Sequence, residues 1–502
     1  MVTPWVADEM KNVDLKDTRL NNRLAEVLGQ LGGRPTASIP AACGGHAEMT
    51  AAYRLFENEK VNFDNVLQPH IDATRRRMAG QPVVILAQDT TEVDLTRPER
   101  QVVGAGPLDG GPRRGVFLHL LHAFTPNGVP LGTAHATVWA RDDKPALSAS
   151  ERSKQRKQTP IEEKESQRWI DTFRQACAVA RLAPGPHFVC VADSEGDIYE
   201  LLAEACAEPR EVDWIIRACQ NRALDNSGGK ETGQVKPADN EARHVREQVM
   251  AGDVVFTQAI NIRGRKAKIS CENRGRRQPR KSRQAEVEVR AARVTLRPPP
   301  RPDRKLPPVS VNVVLVREID PPADDPPVEW MLLTSLPVDD AEQVRQVTQY
   351  YCVRWLIEVF FRTLKSGCRV QERRFEHVDR MQPCLAVYLI VTWRTLYVCR
   401  LGRGLPEASC EAVFEPAEWK SVYRVVRRRP PPPQPPTLSE MVRMVAQLGG
   451  YVNRKRGDEP GPQTVWLGLQ RVQDIALCWQ LFGPEAGIEH TTTGTEIDDP
   501  LV

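Results

Sequence analysis

Between Tyr350 and Arg374 the chain reads YYCVRWLIEVFFRTLKSGCRVQERR, and one carboxylate in it, Glu358, is flanked by cations at helical intervals. Wound at about 3.6 residues per turn, Tyr351, Arg354, Glu358, Arg362 and Lys365 share one face, and Val353, Ile357, Phe360 and Leu364 share the opposite one. A sheet or core must hold the back of such a helix while an acid among cations is presented forward. An amphipathic surface helix with spaced ion pairs reads the same way. Two further acids bear on the choice. Asp89 follows the apolar run Val83 to Ala87, and Asp193 follows HFVCVA, so each fits the carboxyl end of a buried strand. A turn or N-cap aspartate beside Thr90 and Thr91 fits Asp89 as well.

Two strand-borne aspartates and a helix-borne glutamate suit the cutting and joining of phosphodiesters. A pair of divalent ions about 3.5 to 4 Å apart makes a nucleophile of water or of a 3′ hydroxyl and stabilises the leaving oxygen. Three carboxylates, completed by phosphate oxygens and waters, give the hard oxygen coordination that Mg²⁺ takes, with Mn²⁺ as a substitute. Asp89, Asp193 and Glu358 are therefore expected to be both catalytic and metal-binding, with Tyr351, Arg354 and Lys365 holding phosphates on either side of the scissile bond. DSEGD, from Asp193 to Asp197, lacks the twelve-residue ligand pattern of a calcium loop. Asp197 fits a helix cap.

Tyr351, Arg354, Glu358 and Lys365 reproduce the Y-x2-R-x3-E-x6-K box of bacterial insertion-sequence transposases of the IS-four group, which include the Tn-five type, and the chain resembles that family. EWMLLTSLPV around Trp330 and LGGYVNRKR from Leu448 to Arg456 look like it in the same order, so the likeness runs from about Asp14 to Phe482. The resemblance implies cut-and-paste transposition: a homodimer binds double-stranded DNA at the element's terminal inverted repeats, hydrolyses a strand at each end, passes through a hairpin and joins the freed ends to target DNA. It implies that Tyr351 and Arg354 grip DNA near the cleaved end, with Arg362 on the same face, and that Trp330 stacks a flipped base. Beside Met331, Leu332 and Leu333, Trp330 reads equally as strand core. The alternative is a transposase-derived DNA-binding protein that no longer cuts. Intact acids argue against it.

The fold class that follows is α/β, a ribonuclease H-like core with an all-β insertion between α-helical ends. Residues 1–75 read as a helical domain that binds the DNA ends, with Arg19 and Arg23 on one side of the helix Asp14 to Leu31. Residues 76–415 read as the catalytic domain, with the insertion at about 220–335. Residues 416–437 read as a basic polyproline linker, 438–483 as a helical dimerisation domain that buried core helices would resemble, and 484–502 as a disordered tail.

Composition adds bounds. A chain of 502 residues exceeds one average core. Net charge is only +4, so affinity for nucleic acid must come from local charge such as Arg263 to Arg283, where ten Lys or Arg face Glu272 alone. A solvated loop is the other reading of that run. Twelve cysteines without paired spacing indicate neither a zinc site nor a disulfide framework. No leader and no long apolar run is evident, so no membrane partner is expected and the bacterial cytoplasm, at the nucleoid, is the default location.

Overall fold

The computed structural model describes residues 3–143, 148, 150–151, 155, 158–225, 244–262, 264, 280–323, 325, 327–452 and 459–484. Most of the basic run from Arg263, the end of the LGGYVNRKR stretch and nearly all of the tail lie outside them. The described chain forms two compact units. One contains residues 67–361 and 374–382; the other gathers residues 1–66, 362–373 and those from Pro383 onward.

The first unit is built on a ten-stranded sheet. Its strands are β1 (Val83–Asp94), β2 (Gly106–Pro107), β3 (Arg114–Phe124), β4 (Pro130–Trp139), β5 (His187–Ala192), β6 (Asp213–Arg217), β7 (Val254–Ile262), β8 (Arg283–Leu296), β9 (Val309–Glu318) and β10 (Glu329–Thr334). They lie in the order β2-β3-β1-β5-β6-β10-β9-β8-β7, with β4 on β3. Only β1 with β5 and β5 with β6 run parallel. Both β1 and β5 are near-continuous apolar runs, and the sheet face around them is closed by the helix Gln167–Leu182, whose Trp169, Ile170 and Phe173 are buried.

Three expectations need correction. β1 does not stop at Ala87: its parallel ladder with β5 ends at Gln88 and Ala192, while its antiparallel ladder with β3 continues to Asp94, so Asp89 sits in mid-strand. The insertion is not all-β, because Val245–Ala251 is a helix, and its strands extend the core sheet through β10 pairing on β6. The single helix expected from Tyr350 is two, Ala341–Val353 and Trp355–Arg362, followed by a π-helical turn at Thr363–Gly367. Arg354 stands at the break, its N–H bonding back to Tyr351 in a tighter turn.

In the second unit, N-terminal helices Thr18–Gly33 and His46–Glu57 share a body with C-terminal helices Pro416–Arg427, Leu438–Leu448 and Pro462–Phe482. Arg34 pairs with Asp474 at 2.8 Å and binds them at the surface. The first part of the expected linker, 416–427, is thus a helix. A capping box of Glu415 and Glu418 starts it, and Trp419 and Val422 bury its apolar side. Val378–Gly404 is long and apolar enough to cross a membrane, contrary to the expectation of no such run, but Leu385 to Val391 are almost wholly buried in protein, as in a core helix.

Gly468 lets the last two helices touch backbone to backbone: a Cβ there would stand 1.9 Å from the Val445 carbonyl oxygen. Gly468→Ala is expected to destabilise this unit by about 1–3 kcal/mol or more, seen in calorimetry as a lower midpoint for one transition while the other stays in place.

Candidate active site

The acids meet where the parallel ladder ends. Gln88 and Ala192 are its last pair, so Asp89 and Asp193 emerge side by side from neighbouring strands at their carboxyl edge. Each keeps one oxygen on a main-chain donor. The Thr90 N–H donates to Asp89 Oδ1 at 2.7 Å, and the Glu195 N–H donates to Asp193 Oδ1 at 2.8 Å. Asp193 thereby caps the 3₁₀ turn Ser194–Gly196.

Glu358 arrives on Trp355–Arg362. Ile357 and Phe360 are fully buried, and the Phe360 ring lies 4.5 Å from that of His122 on β3, which fixes the helix to the sheet. Burial of two such side chains stabilises the docked helix by roughly 1.5–3 kcal/mol each. Val353 and Leu364 are buried as well, as the apolar stripe requires.

Arg354 joins the acids. Its Nη1 donates to Asp89 Oδ2 at 3.2 Å and its Nη2 to Glu358 Oε1 at 2.5 Å. The side chain is only 10% exposed, and its guanidinium carbon lies 5.9 Å from the Tyr351 ring centre. Arg354 and Tyr351 are buried, and Arg354 is bonded to two carboxylates in the chain without DNA. Burial opposes its charge, but Tyr351, Glu358 and Asp89 outweigh that and raise its pKa. Burial, reinforced by the Asp193 charge, pushes Asp89 up to about 7 against the pull of Arg354.

Trp330 is half-buried against the small cluster of Ile262, Ala285 and Val328, with its ring 6.2 Å from that of Tyr351. Arg362 and Lys365 follow Glu358 in the chain but belong to the second unit, as do Arg19, which is exposed, and Arg23, which pairs with Glu26. Sequence reasoning missed Trp355, an apolar ring 53% exposed on the Glu358 helix. It also missed Arg168, which bonds Thr90 and Glu195. The signals were a tryptophan next to Arg354 and an arginine before a buried tryptophan at a helix start.

Among the described residues no three acids, histidines or cysteines converge closely enough to chelate an ion. The donor set still fits a hard divalent cation: it is all oxygen, two carboxylates lie side by side, and a guanidinium already stands between Asp89 and Glu358 where positive charge is needed. The described cysteines are free thiols.

The mixed sheet, parallel where β1, β5 and β6 pair and antiparallel elsewhere, gives the fold class of a ribonuclease H-like α/β core. Comparison with known families gives three matches in order along the chain: Transposase DNA-binding over residues 2–61, Transposase DDE domain over 162–391 and Transposase Tn5 dimerisation domain over 390–478. The chain belongs to the Tn5-type DDE transposases. The first and last of these matches are, by description, a DNA-binding and a dimerisation domain. Asp193 and Glu358 fall within the DDE match, and Asp89 lies ahead of it. Among solved structures, the chain is similar to the cryo-EM structure of a piggyBac transposase synaptic complex with hairpin DNA, at 10% identity and a TM-score of 0.30. That likeness covers 67% of this chain and 51% of the other, so the chain spans about half the length of that relative.

The raised Asp89 pKa has a sign that can be checked. Between the ordinary carboxylate range and about 7 the folded chain keeps a proton that the unfolded chain has lost, so metal-free stability falls as pH rises through that window. Asp89→Asn should flatten this slope and gain most over the parent at pH 8, as read by urea unfolding in EDTA.

Proposed function

We propose that Asp89, Asp193 and Glu358 hold two Mg²⁺ ions, with Mn²⁺ as a substitute, and that the protein cuts at the terminal inverted repeats of its own element and joins the ends to target DNA. The observation that carries this reading is the pairing of Asp89 with Asp193 at the sheet edge, with Glu358 tethered to Asp89 through Arg354. Bound divalent metal supplies Lewis acidity and an activated oxygen nucleophile. The protein's own part is positional. Backbone N–H groups keep Asp89 and Asp193 aimed, and buried Ile357 and Phe360 hold Glu358 on its helix.

Arg354 then has two uses in sequence. Without DNA it neutralises Asp89 and Glu358; with DNA its fork transfers to a phosphate beside the scissile bond, which a guanidinium binds with the same geometry. Tyr351 packs against it throughout. Arg362 and Lys365 bind backbone phosphates, and the half-buried Trp330 stacks a base displaced during hairpin formation. Helix Thr18–Gly33, with Arg19 and Arg23, reads the repeats. The bacterial nucleoid is the place of action.

Dimer formation fits the last helix. Leu467, Leu477, Leu481 and Phe482 are exposed on Pro462–Phe482, the last three close together at its C-terminal end. Leu477→Lys combined with Leu481→Lys should give a monomer by light scattering while a single repeat is still bound.

The catalytic reading is tested on a plasmid carrying the element's flanking ends. With Mg²⁺ the parent should cut at both ends, whereas Glu358→Ala should bind them and leave them intact. If neither chain cuts with Mg²⁺ or Mn²⁺, the assignment of the three acids fails.

A further inference from the structure

Asp89 and Asp193 are aimed by the main-chain N–H groups of Thr90 and Glu195. Those two residues are joined by one side chain. Arg168 Nε donates to Thr90 Oγ1 at 3.0 Å, and Arg168 Nη2 donates to Glu195 Oε2 at 3.1 Å. Its remaining nitrogen, Nη1, donates to the Glu165 carbonyl at 2.8 Å, so the fork is used in full and its direction is fixed. The guanidinium is 19% exposed, with the Trp139 ring 5.5 Å away. Its root is equally fixed, because the next residue, Trp169, is buried with its ring edge-on to His119 at 4.8 Å.

The Thr90 hydroxyl accepts from Arg168 and shares a second hydrogen bond with His119 Nδ1, 2.7 Å away. His119 is wholly buried on β3. A chain of hydrogen bonds thus runs from His119 through Thr90 and Arg168 to Glu195.

We infer that Arg168 is a positioning residue that spans the two aspartate-bearing loops and fixes how far apart Asp89 and Asp193 stand. It touches neither acid by hydrogen bond. It acts through the two residues whose backbone donors hold them, as supporting shells do around metal ligands. The inference rests on the proposed metal-binding role of those acids. Lysine cannot reproduce the function, because one ammonium cannot present a planar fork to a hydroxyl, a carboxylate and a carbonyl at once.

The test is direct binding of Mn²⁺ alone to the full chain, followed by calorimetry and by the paramagnetic signal of free Mn²⁺, for the parent, Arg168→Ala, Arg168→Lys, Thr90→Val and Glu195→Gln. Mn²⁺ affinity should fall about 10–100-fold in Arg168→Ala, nearly as much in Arg168→Lys, and less in the two single-partner variants. Binding of repeat DNA in EDTA should stay at the parent level. Glu195 is largely exposed, so Glu195→Gln keeps the test open if Arg168→Ala fails to fold. Parent-like Mn²⁺ affinity in the folded Arg168 variants, or in Glu195→Gln and Thr90→Val together, overturns the inference. So does loss of DNA binding in EDTA with Mn²⁺ affinity intact, which would make Arg168 a DNA contact. A parent chain that binds no Mn²⁺ and cuts no ends would instead sink the metal assignment itself.

Discussion

Repulsion among carboxylates is the constraint around which the catalytic unit is built. Two unit charges about 4 Å apart interact by roughly 4 kcal/mol at an effective dielectric of about 20. That is as much as burial of one or two large apolar side chains returns. An acid-bearing helix lying loosely on the surface would turn away. Glu358 stays because Ile357 and Phe360 are sunk beneath it, and because Arg354 reaches across to Asp89. Burial first, and then the Asp193 charge, hold the Asp89 pKa up despite Arg354.

The sheet supplies what the helix cannot. β1 changes partner character at Asp89, since β5 ends beside it while β3 continues to pair. One side of the strand is released at the position of the carboxylate, yet the backbone stays fully bonded on the other. The strands of the insertion carry the same sheet outward from β6 through β10, so Trp330 on β10 and Asp193 after β5 stand on one continuous ladder. A shift in one would be felt by the other.

Much of this was legible in the sequence, because apolar runs, helical periodicity and a spaced box each record a local requirement. The places where the reading failed are places where the cause is distant. β1 seemed to end at Ala87 because its side chains turn polar, but its hydrogen bonds to β3 do not depend on side-chain type. Nothing in Val353, Arg354 or Trp355 marks a helix break. The Arg354 to Asp89 bond joins residues 265 positions apart and has no local signature. The helix at 416–427 could have been found, since Glu415 and Glu418 form a capping box ahead of Trp419, but the arginines and prolines that follow drew the boundary too early. The union of N- and C-terminal helices in one body left no trace in either segment alone.

That union bears on how the protein is made. The helix Thr18–Gly33 shares its unit with Pro462–Phe482, and Arg34 meets a partner at Asp474, 440 residues later. At about 5–20 residues per second, a ribosome needs tens of seconds between those points. The sheet that carries Asp89 and Asp193 can close during that interval, whereas the unit holding the N-terminal helices cannot be completed until synthesis is nearly over. Translation that stops short of residue 460 leaves the earliest helices without the helix that carries Asp474.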